Sequence, residues 1–181
     1  MRLERPKGDI WVFGYGSLIW RPNFPHKDAQ AALLRGYHRA PCIYSTTYRG
    51  TCEQPGLVLG LDRGGACRGL AFRVADRDAD AVIDYLYARE MINRVYRPRW
   101  TPVALQTGSV TALIFVADRK HEQYAGKLSD EDALKLILQG CGKQGRCIDY
   151  FRNTLAHLDS LGIHDRTLTR IVGLVESEAG I

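Results

Sequence analysis

The chain has 181 residues, of which 45% are hydrophobic. This length is enough for one well-filled hydrophobic core and too short for two full-sized domains, so we expect a single domain over residues 1–181. A net charge of +5 favours anionic partners without choosing among nucleic acid, a membrane surface and a small acidic metabolite. Five cysteines without a C-x-x-C pair argue against a disulfide framework or a zinc knuckle and favour a reducing cytoplasm, and the absence of a long apolar run predicts neither export nor membrane insertion.

Strand signals dominate the first two thirds of the chain. Residues 11–13 predict a short buried strand, and residues 57–61 and 67–74 predict two strands joined by a hairpin turn at residues 63–65, which contain two glycines. Residues 100–105 and 109–116 predict a second pair that turns at Thr107 and Gly108. These pairs indicate an antiparallel sheet component.

Helix signals follow towards the end of the chain. Ser129 is a good N-cap, acidic residues fill the next three positions, and Gly140 lies where a helix should end. A helical pattern continues over residues 148–158 and ends at Gly162, and a last helix is predicted to begin at Asp165. Strands first and helices later favour an α+β fold.

The sequence predicts neither a nucleotide-binding loop nor a metal site. Residues 140–145 spell G-x-G-x-x-G, but they follow a helix, whereas a dinucleotide-binding loop leaves a strand and opens a helix. Lys143 is followed by Gln144 rather than by the serine or threonine of a phosphate loop. We predict a loop between helices there. The histidines lack metal-binding spacing, so no metal site is expected.

A glycine-rich segment after the first strand is a candidate anion site. Tyr15, Gly16, Ser17 and Leu18 follow Gly14 directly, and such a segment can turn several backbone N–H groups towards one carboxylate or oxyanion. The alternative is a tight turn between a strand and a loop.

Glu90 is the candidate proton-transfer residue. In a helix predicted over residues 78–92, Glu90 lies about 80° from Val82 and therefore inside the apolar stripe. Burial raises the pKa of a carboxyl and suits it to accept and return protons. We expect Arg89 to point well away from this stripe. The alternative is a structural glutamate satisfied by Arg94, Arg97 or a tyrosine hydroxyl.

Four arginines at positions 89, 94, 97 and 99 alternate with Tyr96 and Trp100, which in isolation resembles a nucleic-acid surface. The run contains Pro98, matches no nucleic-acid motif and has several aspartates nearby. We interpret it as a solvated helix end and expect no nucleic-acid partner.

Residues 11–24, WVFGYGSLIWRPNF, resemble the N-terminal signature of the ChaC-like, glutathione-specific γ-glutamylcyclotransferases. Further matches follow in the order of the family at residues 34–37, 45–50, 55–56, 68–73, 85–90, 96–97 and 145–154. The resemblance implies a mixed, largely closed β-barrel flanked by helices. It also implies an enzyme without cofactor or metal that acts on a small-molecule substrate.

In this family the segment that matches residues 15–18 holds the γ-glutamyl group, and the glutamate that matches Glu90 is the acid/base. The implied products from glutathione are 5-oxoproline and cysteinylglycine. Arg49, Tyr96 and Tyr150 are further substrate-binding candidates. The chain departs from the glutathione-specific pattern before Arg49, where Tyr48 replaces a histidine.

Three alternatives stay open at this point. The chain could act on other γ-glutamyl amines or peptides, be a non-catalytic binding or regulatory protein, or bind nucleic acid. The sequence leaves the oligomeric state undetermined.

Overall fold

The computed structural model describes residues 3–180, and the chain in it forms two compact units. The first unit takes the chain up to Arg39 and again from Leu61 to Asp118, and the second takes Ala40–Gly60 and everything after Asp118. The strands are β1 (Ile10–Gly14), β2 (Asp28–Ser45), β3 (Gly56–Val74), β4 (Tyr96–Leu105), β5 (Gly108–Ala117), β6 (Cys141–Gly142) and β7 (Gly145–Arg146). The helices are α1 (Ser17–Trp20), α2 (Asp76–Glu90), α3 (Asp130–Gln139), α4 (Cys147–Ser160) and α5 (Arg166–Ala179).

Five strands close into a barrel in the order β1-β3-β2-β4-β5. β1 pairs antiparallel with β3 and parallel with β5, so the barrel is mixed. The pairing of β5 with β1 closes the barrel, and β3 and β5 make one additional parallel pairing, in which Leu61 lies opposite Val116. Large apolar side chains that are almost fully buried fill this unit: Phe13, Leu34, Leu61, Phe72, Leu113 and Phe115. The predicted α+β fold with a mixed β-barrel is confirmed.

The predicted turn at residues 63–65 is wrong, because β3 runs without a break from Gly56 to Val74. Gly64 and Gly65 both have positive φ angles, 97° and 69°, which glycine adopts without steric cost. They bend the strand instead of reversing it. A pair of glycines marks either event, and the sequence does not separate them.

The long strand β2 was not predicted, although it supplies a wall of the barrel. Ala32 and Leu34 are buried at even positions, whereas Arg39 is buried at an odd position. Gly36 lies between them with a φ of 85°, and the burial pattern of the strand does not alternate regularly after it. Strand prediction depends on that alternation.

The predicted hairpin at Thr107 and Gly108 is confirmed. β4 and β5 pair antiparallel along their whole length, from Tyr96 opposite Ala117 to Leu105 opposite Gly108.

Helix α2 spans Asp76–Glu90, two residues earlier at each end than the predicted 78–92. Its N-terminus is capped from a distance, since the carboxylate of Asp9 accepts the backbone N–H of Asp76 at 3.0 Å. This hydrogen bond, followed by that from Lys27, lowers the pKa of Asp9. A cap supplied 67 residues away leaves no local signal.

The second unit contains α3, α4 and α5, and the predicted start and end of α3, end of α4 and start of α5 agree with the structure. The Ser129 side chain accepts the backbone N–H of Asp132, and the Asp165 side chain accepts that of Leu168. Gly162 follows α4 with a φ of 68°, as expected after the end of a helix.

Residues 140–146 lie between α3 and α4 as predicted, and their glycines serve close backbone packing. β6 and β7 form a small hairpin here. A Cβ added at Gly142 would lie 2.5 Å from the backbone carbon of Tyr48, and one at Gly140 would lie 2.5 Å from the carbonyl oxygen of Arg49. The literal G-x-G-x-x-G pattern therefore reflects packing against residues 48–49.

Candidate active site

The segment after β1 turns into the single-turn helix α1. Tyr15 and Leu18 are buried, and Ile19 donates its N–H to the carbonyl of Gly16 at 2.9 Å. The N–H groups of Ser17 and Leu18 belong to the first turn of α1, where amides have no intrahelical acceptor. This geometry is compatible with the predicted anion-binding role.

Arg39 holds the beginning of this segment. Its Nε donates to the carbonyl oxygen of Tyr15 at 2.6 Å, and its Nη2 donates to that of Arg68 at 2.6 Å. Only 8% of Arg39 is exposed, so these charge-assisted hydrogen bonds lie in a desolvated environment where they are strong. Sequence reasoning missed this residue, because the burial pattern of β2 does not alternate regularly.

Glu90 ends α2 on its buried side, as predicted. Leu86, one turn earlier, and Val82, two turns earlier, are fully buried. The Glu90 side chain is 17% exposed. Burial raises the pKa of Glu90, while the charge and the hydrogen bond of Arg89 act in the opposite direction. A carboxyl with a raised pKa is suited to general acid and base catalysis near neutral pH.

The expected separation of Arg89 from the apolar stripe does not keep its side chain away from the Glu90 carboxyl. The Nε of Arg89 lies 3.2 Å from Oε1 of Glu90, and the Arg89 side chain is only 18% exposed. An arginine at the last turn of a helix is long enough to fold back, which an angular projection of Cβ positions ignores. Arg97, one of the partners named for the alternative of a structural glutamate, pairs with Asp118 at 2.7 Å.

Arg89 also contacts the segment that contains the candidate anion site. Its Nη2 donates to Oγ of Ser17 at 2.9 Å, and its Nη1 donates to the carbonyl oxygen of Arg21 at 2.6 Å and to Oη of Tyr85 at 2.9 Å. The structure therefore joins the predicted loop and the predicted acid/base through one guanidinium. Tyr96, a further candidate, is the half-buried first residue of β4.

Two predicted binding residues, Arg49 and Tyr150, lie together in the second unit. The guanidinium carbon of Arg49 is 5.6 Å from the centre of the Tyr150 ring, within cation–π range. Arg49 donates to the carbonyl oxygens of Gln144 and Arg146, and Tyr150 Oη accepts the N–H of Leu59. The contacts of Arg49 hold the β6–β7 hairpin and that of Tyr150 holds β3; a role of either residue in substrate binding stays a prediction.

Cys147 of the second unit is a structural thiol. Its Sγ donates to the carbonyl oxygen of Leu57 at 2.8 Å and accepts the N–H of the same residue at 3.3 Å. Burial raises its pKa to about 12, so the thiolate needed for nucleophilic attack is scarce at neutral pH.

Within residues 3–180, no group of three or more His, Cys, Asp and Glu side chains is arranged to hold a metal ion. In the same part of the chain, none of the helices combines the length and the apolar character needed to cross a membrane.

Comparisons with known proteins identify the family of the chain. The model of a family described as ChaC-like protein matches residues 10–178. A glutathione-specific gamma-glutamylcyclotransferase of Escherichia coli is 34% identical over 167 residues, covering 92% of this chain and 72% of the relative. The human glutathione-specific gamma-glutamylcyclotransferase 1 is 30% identical over 184 residues, covering 96% of this chain and 83% of the relative.

A solved structure shows the same fold. The yeast gamma-glutamyl cyclotransferase specific to glutathione superposes with a TM-score of 0.88 at 20% identity, covering 94% of this chain and 97% of the yeast chain.

Proposed function

Since this chain belongs to the ChaC-like family, we propose that it is a γ-glutamylcyclotransferase that degrades glutathione to 5-oxoproline and cysteinylglycine. The observation that carries the proposal is the largely buried Glu90 beside Arg89, whose guanidinium also contacts Ser17 of the glycine-rich segment. The substrate is a small anionic molecule, which agrees with the positive net charge.

The chemistry needs no nucleophile from the enzyme. The α-amine of the γ-glutamyl group attacks its own γ-carbonyl carbon, and a five-membered lactam ring forms. The bond to the cysteinyl nitrogen then breaks, and that nitrogen receives a proton. No water is consumed, so the atoms of glutathione are divided between the two products. The enzyme must hold the chain folded for ring closure, stabilise the oxyanion and carry out two proton transfers, one from the attacking amine and one to the departing nitrogen.

The proposed roles follow from these requirements. The Glu90 carboxylate accepts the proton that the attacking amine loses and returns it to the departing cysteinyl nitrogen. The backbone N–H groups of residues 15–18 bind the γ-glutamyl moiety. Arg49, Tyr96 and Tyr150 are proposed as further substrate-binding residues on the basis of family resemblance. We place the reaction in the cytoplasm, which fits the five free cysteines at positions 42, 52, 67, 141 and 147.

The experiment that tests this function compares γ-glutamyl substrates. Purified protein with a chelator present is given glutathione, γ-glutamylcysteine or a γ-glutamyl amine, and 5-oxoproline is quantified. We expect glutathione to give the highest kcat/KM. A higher value for another member of the panel would assign the chain to that substrate. No release from any of them would favour the non-catalytic binding protein.

Replacing Gly16 by valine should weaken substrate binding. Gly16 precedes α1 as its N-cap, and a β-branched side chain there restricts the backbone that directs the N–H groups of residues 17 and 18. We expect KM for glutathione to rise by about tenfold or more, which corresponds to about 1.4 kcal/mol of lost binding.

The matched control is Gly173→Val in α5, because a Cβ at Gly173 meets nothing within 4 Å. Steady-state kinetics of both variants measure the difference. A Gly16→Val variant with the KM of the wild type would mean that residues 15–18 form only a turn.

A further inference from the structure

We propose that Arg89 is the positioning residue of this site: its guanidinium fixes the γ-glutamyl-binding segment to the Glu90 carboxyl and keeps that carboxyl ready to accept a proton. The inference rests on the proposed function and adds a residue to it.

Each of the three nitrogens of the Arg89 guanidinium contacts a different residue. Nε faces Oε1 of Glu90 at 3.2 Å, Nη2 donates to Oγ of Ser17 at 2.9 Å, and Nη1 donates to the carbonyl oxygen of Arg21 at 2.6 Å. The three nitrogens of a guanidinium lie in one plane at fixed angles. The position of Glu90 is therefore coupled to the positions of Ser17 and Arg21, which are the first residue of α1 and its C-cap.

Burial makes this connection strong. The side chains of Arg89 and Glu90 are only 18% and 17% exposed, so solvent and salt screen their interaction less than that of a surface ion pair, which contributes little. Oη of Tyr85, one turn earlier on α2, accepts another hydrogen bond from Nη1 at 2.9 Å. A side chain held by these contacts loses little further entropy when substrate binds.

The charge of Arg89 has a second effect. Burial raises the pKa of Glu90 and Arg89 lowers it; among the described residues, Arg89 is the one charged group that shifts this carboxyl. From the side of α1, Arg89 is faced by neutral groups, the hydroxyl of Ser17 and the carbonyl of Arg21. Without the guanidinium, Glu90 would stay protonated to a higher pH, and over that added pH range it could not accept the proton of the substrate.

Two substitutions separate these effects. Arg89→Gln removes both the positive charge and the planar guanidinium that donates several hydrogen bonds. Loss of the charge should move the acidic limb of the pH profile of kcat/KM to higher pH by about one pH unit or more. Loss of the hydrogen bonds should raise KM for glutathione by about tenfold or more. Arg89→Lys keeps a charge but cannot reach both Ser17 and Arg21. We expect its acidic limb to return towards that of the wild type while its KM stays raised.

The experiment measures the pH dependence of kcat and KM for 5-oxoproline release by the full chain and both variants. The midpoint of Glu90 is also read without turnover, from the chemical shift of its ¹³C-labelled carboxyl during a pH titration. Arg77→Gln is the matched control, because Arg77 lies on the same helix with a side chain that is 86% exposed. We expect this control to behave as wild type.

The outcomes are distinct. If Arg89→Gln has the wild-type KM and the wild-type titration midpoint of the Glu90 carboxyl, the inference is overturned. It is also overturned if both variants lose rate equally while that midpoint stays unchanged, because Arg89 would then have only a structural role. Should Arg89→Gln fail to fold, Arg89→Lys decides, since a raised KM with a wild-type midpoint supports the inference and a wild-type KM overturns it. Absence of 5-oxoproline from the wild type would refute the proposed function, while the titration would still decide the role of Arg89.

Discussion

Glu90→Gln should lower the turnover of glutathione by about 10²- to 10⁴-fold, the usual contribution of a general acid or base. The amide keeps the size and shape of the carboxyl but cannot accept a proton. The affinity for glutathione should stay close to that of the wild type, because the proposed binding contacts are made by backbone N–H groups of residues 15–18. Steady-state kinetics and calorimetric titration with glutathione measure the two quantities.

The control for this prediction is Glu122→Gln, which makes the same chemical change at an exposed position. It should leave both quantities unchanged. A Glu90→Gln variant that turns over glutathione at the wild-type rate would refute the proposed mechanism. Loss of affinity together with turnover would instead make Glu90 a binding residue.

Gly50→Ala should strongly destabilise the protein. The added Cβ would lie 2.1 Å from the backbone nitrogen of Gly56, 2.4 Å from the carbonyl oxygen of Ser45 and 2.8 Å from that of Gln54. All three neighbours are backbone atoms, which cannot move aside like the end of a flexible side chain. We expect a cost of at least about 3 kcal/mol, which lowers Tm by roughly 6–12 °C in a chain of this size.

Gly173→Ala is the matched control for this prediction. Its Cβ enters open space within helix α5, where alanine is favoured over glycine by about 1 kcal/mol. Its Tm should therefore stay equal or rise slightly. Thermal unfolding of the two variants compares them directly. If Gly50→Ala unfolded at the same temperature as Gly173→Ala, the close backbone packing around Gly50 would not limit stability.

The parts of the fold that local chemistry determines could be predicted from the sequence. Ser129 and Asp165 cap the helices that follow them, and their side chains make the expected hydrogen bonds. The hairpin between β4 and β5 carries its own turn signal in Gly108. In each case the residues that decide the structure are neighbours in the sequence.

The parts that depend on distant residues could not be predicted. Helix α2 begins at Asp76 because Asp9 caps it, and β3 continues through Gly64 because strands on both sides of the bend hold it in the barrel. The same limit applies to the candidate site. The position of Glu90 on the apolar face followed from helical periodicity, whereas the contacts of Arg89 and Arg39 depend on strands and loops that meet only in the folded chain.

The most direct measurement of the central claim is the reaction of the wild-type protein with glutathione in ¹⁸O-labelled water, with products identified by mass spectrometry. Cyclisation by the substrate's own amine consumes no water, so we predict 5-oxoproline and cysteinylglycine in equal amounts, both free of ¹⁸O. Formation of ¹⁸O-labelled glutamate would show hydrolysis of the γ-glutamyl bond and would contradict the account.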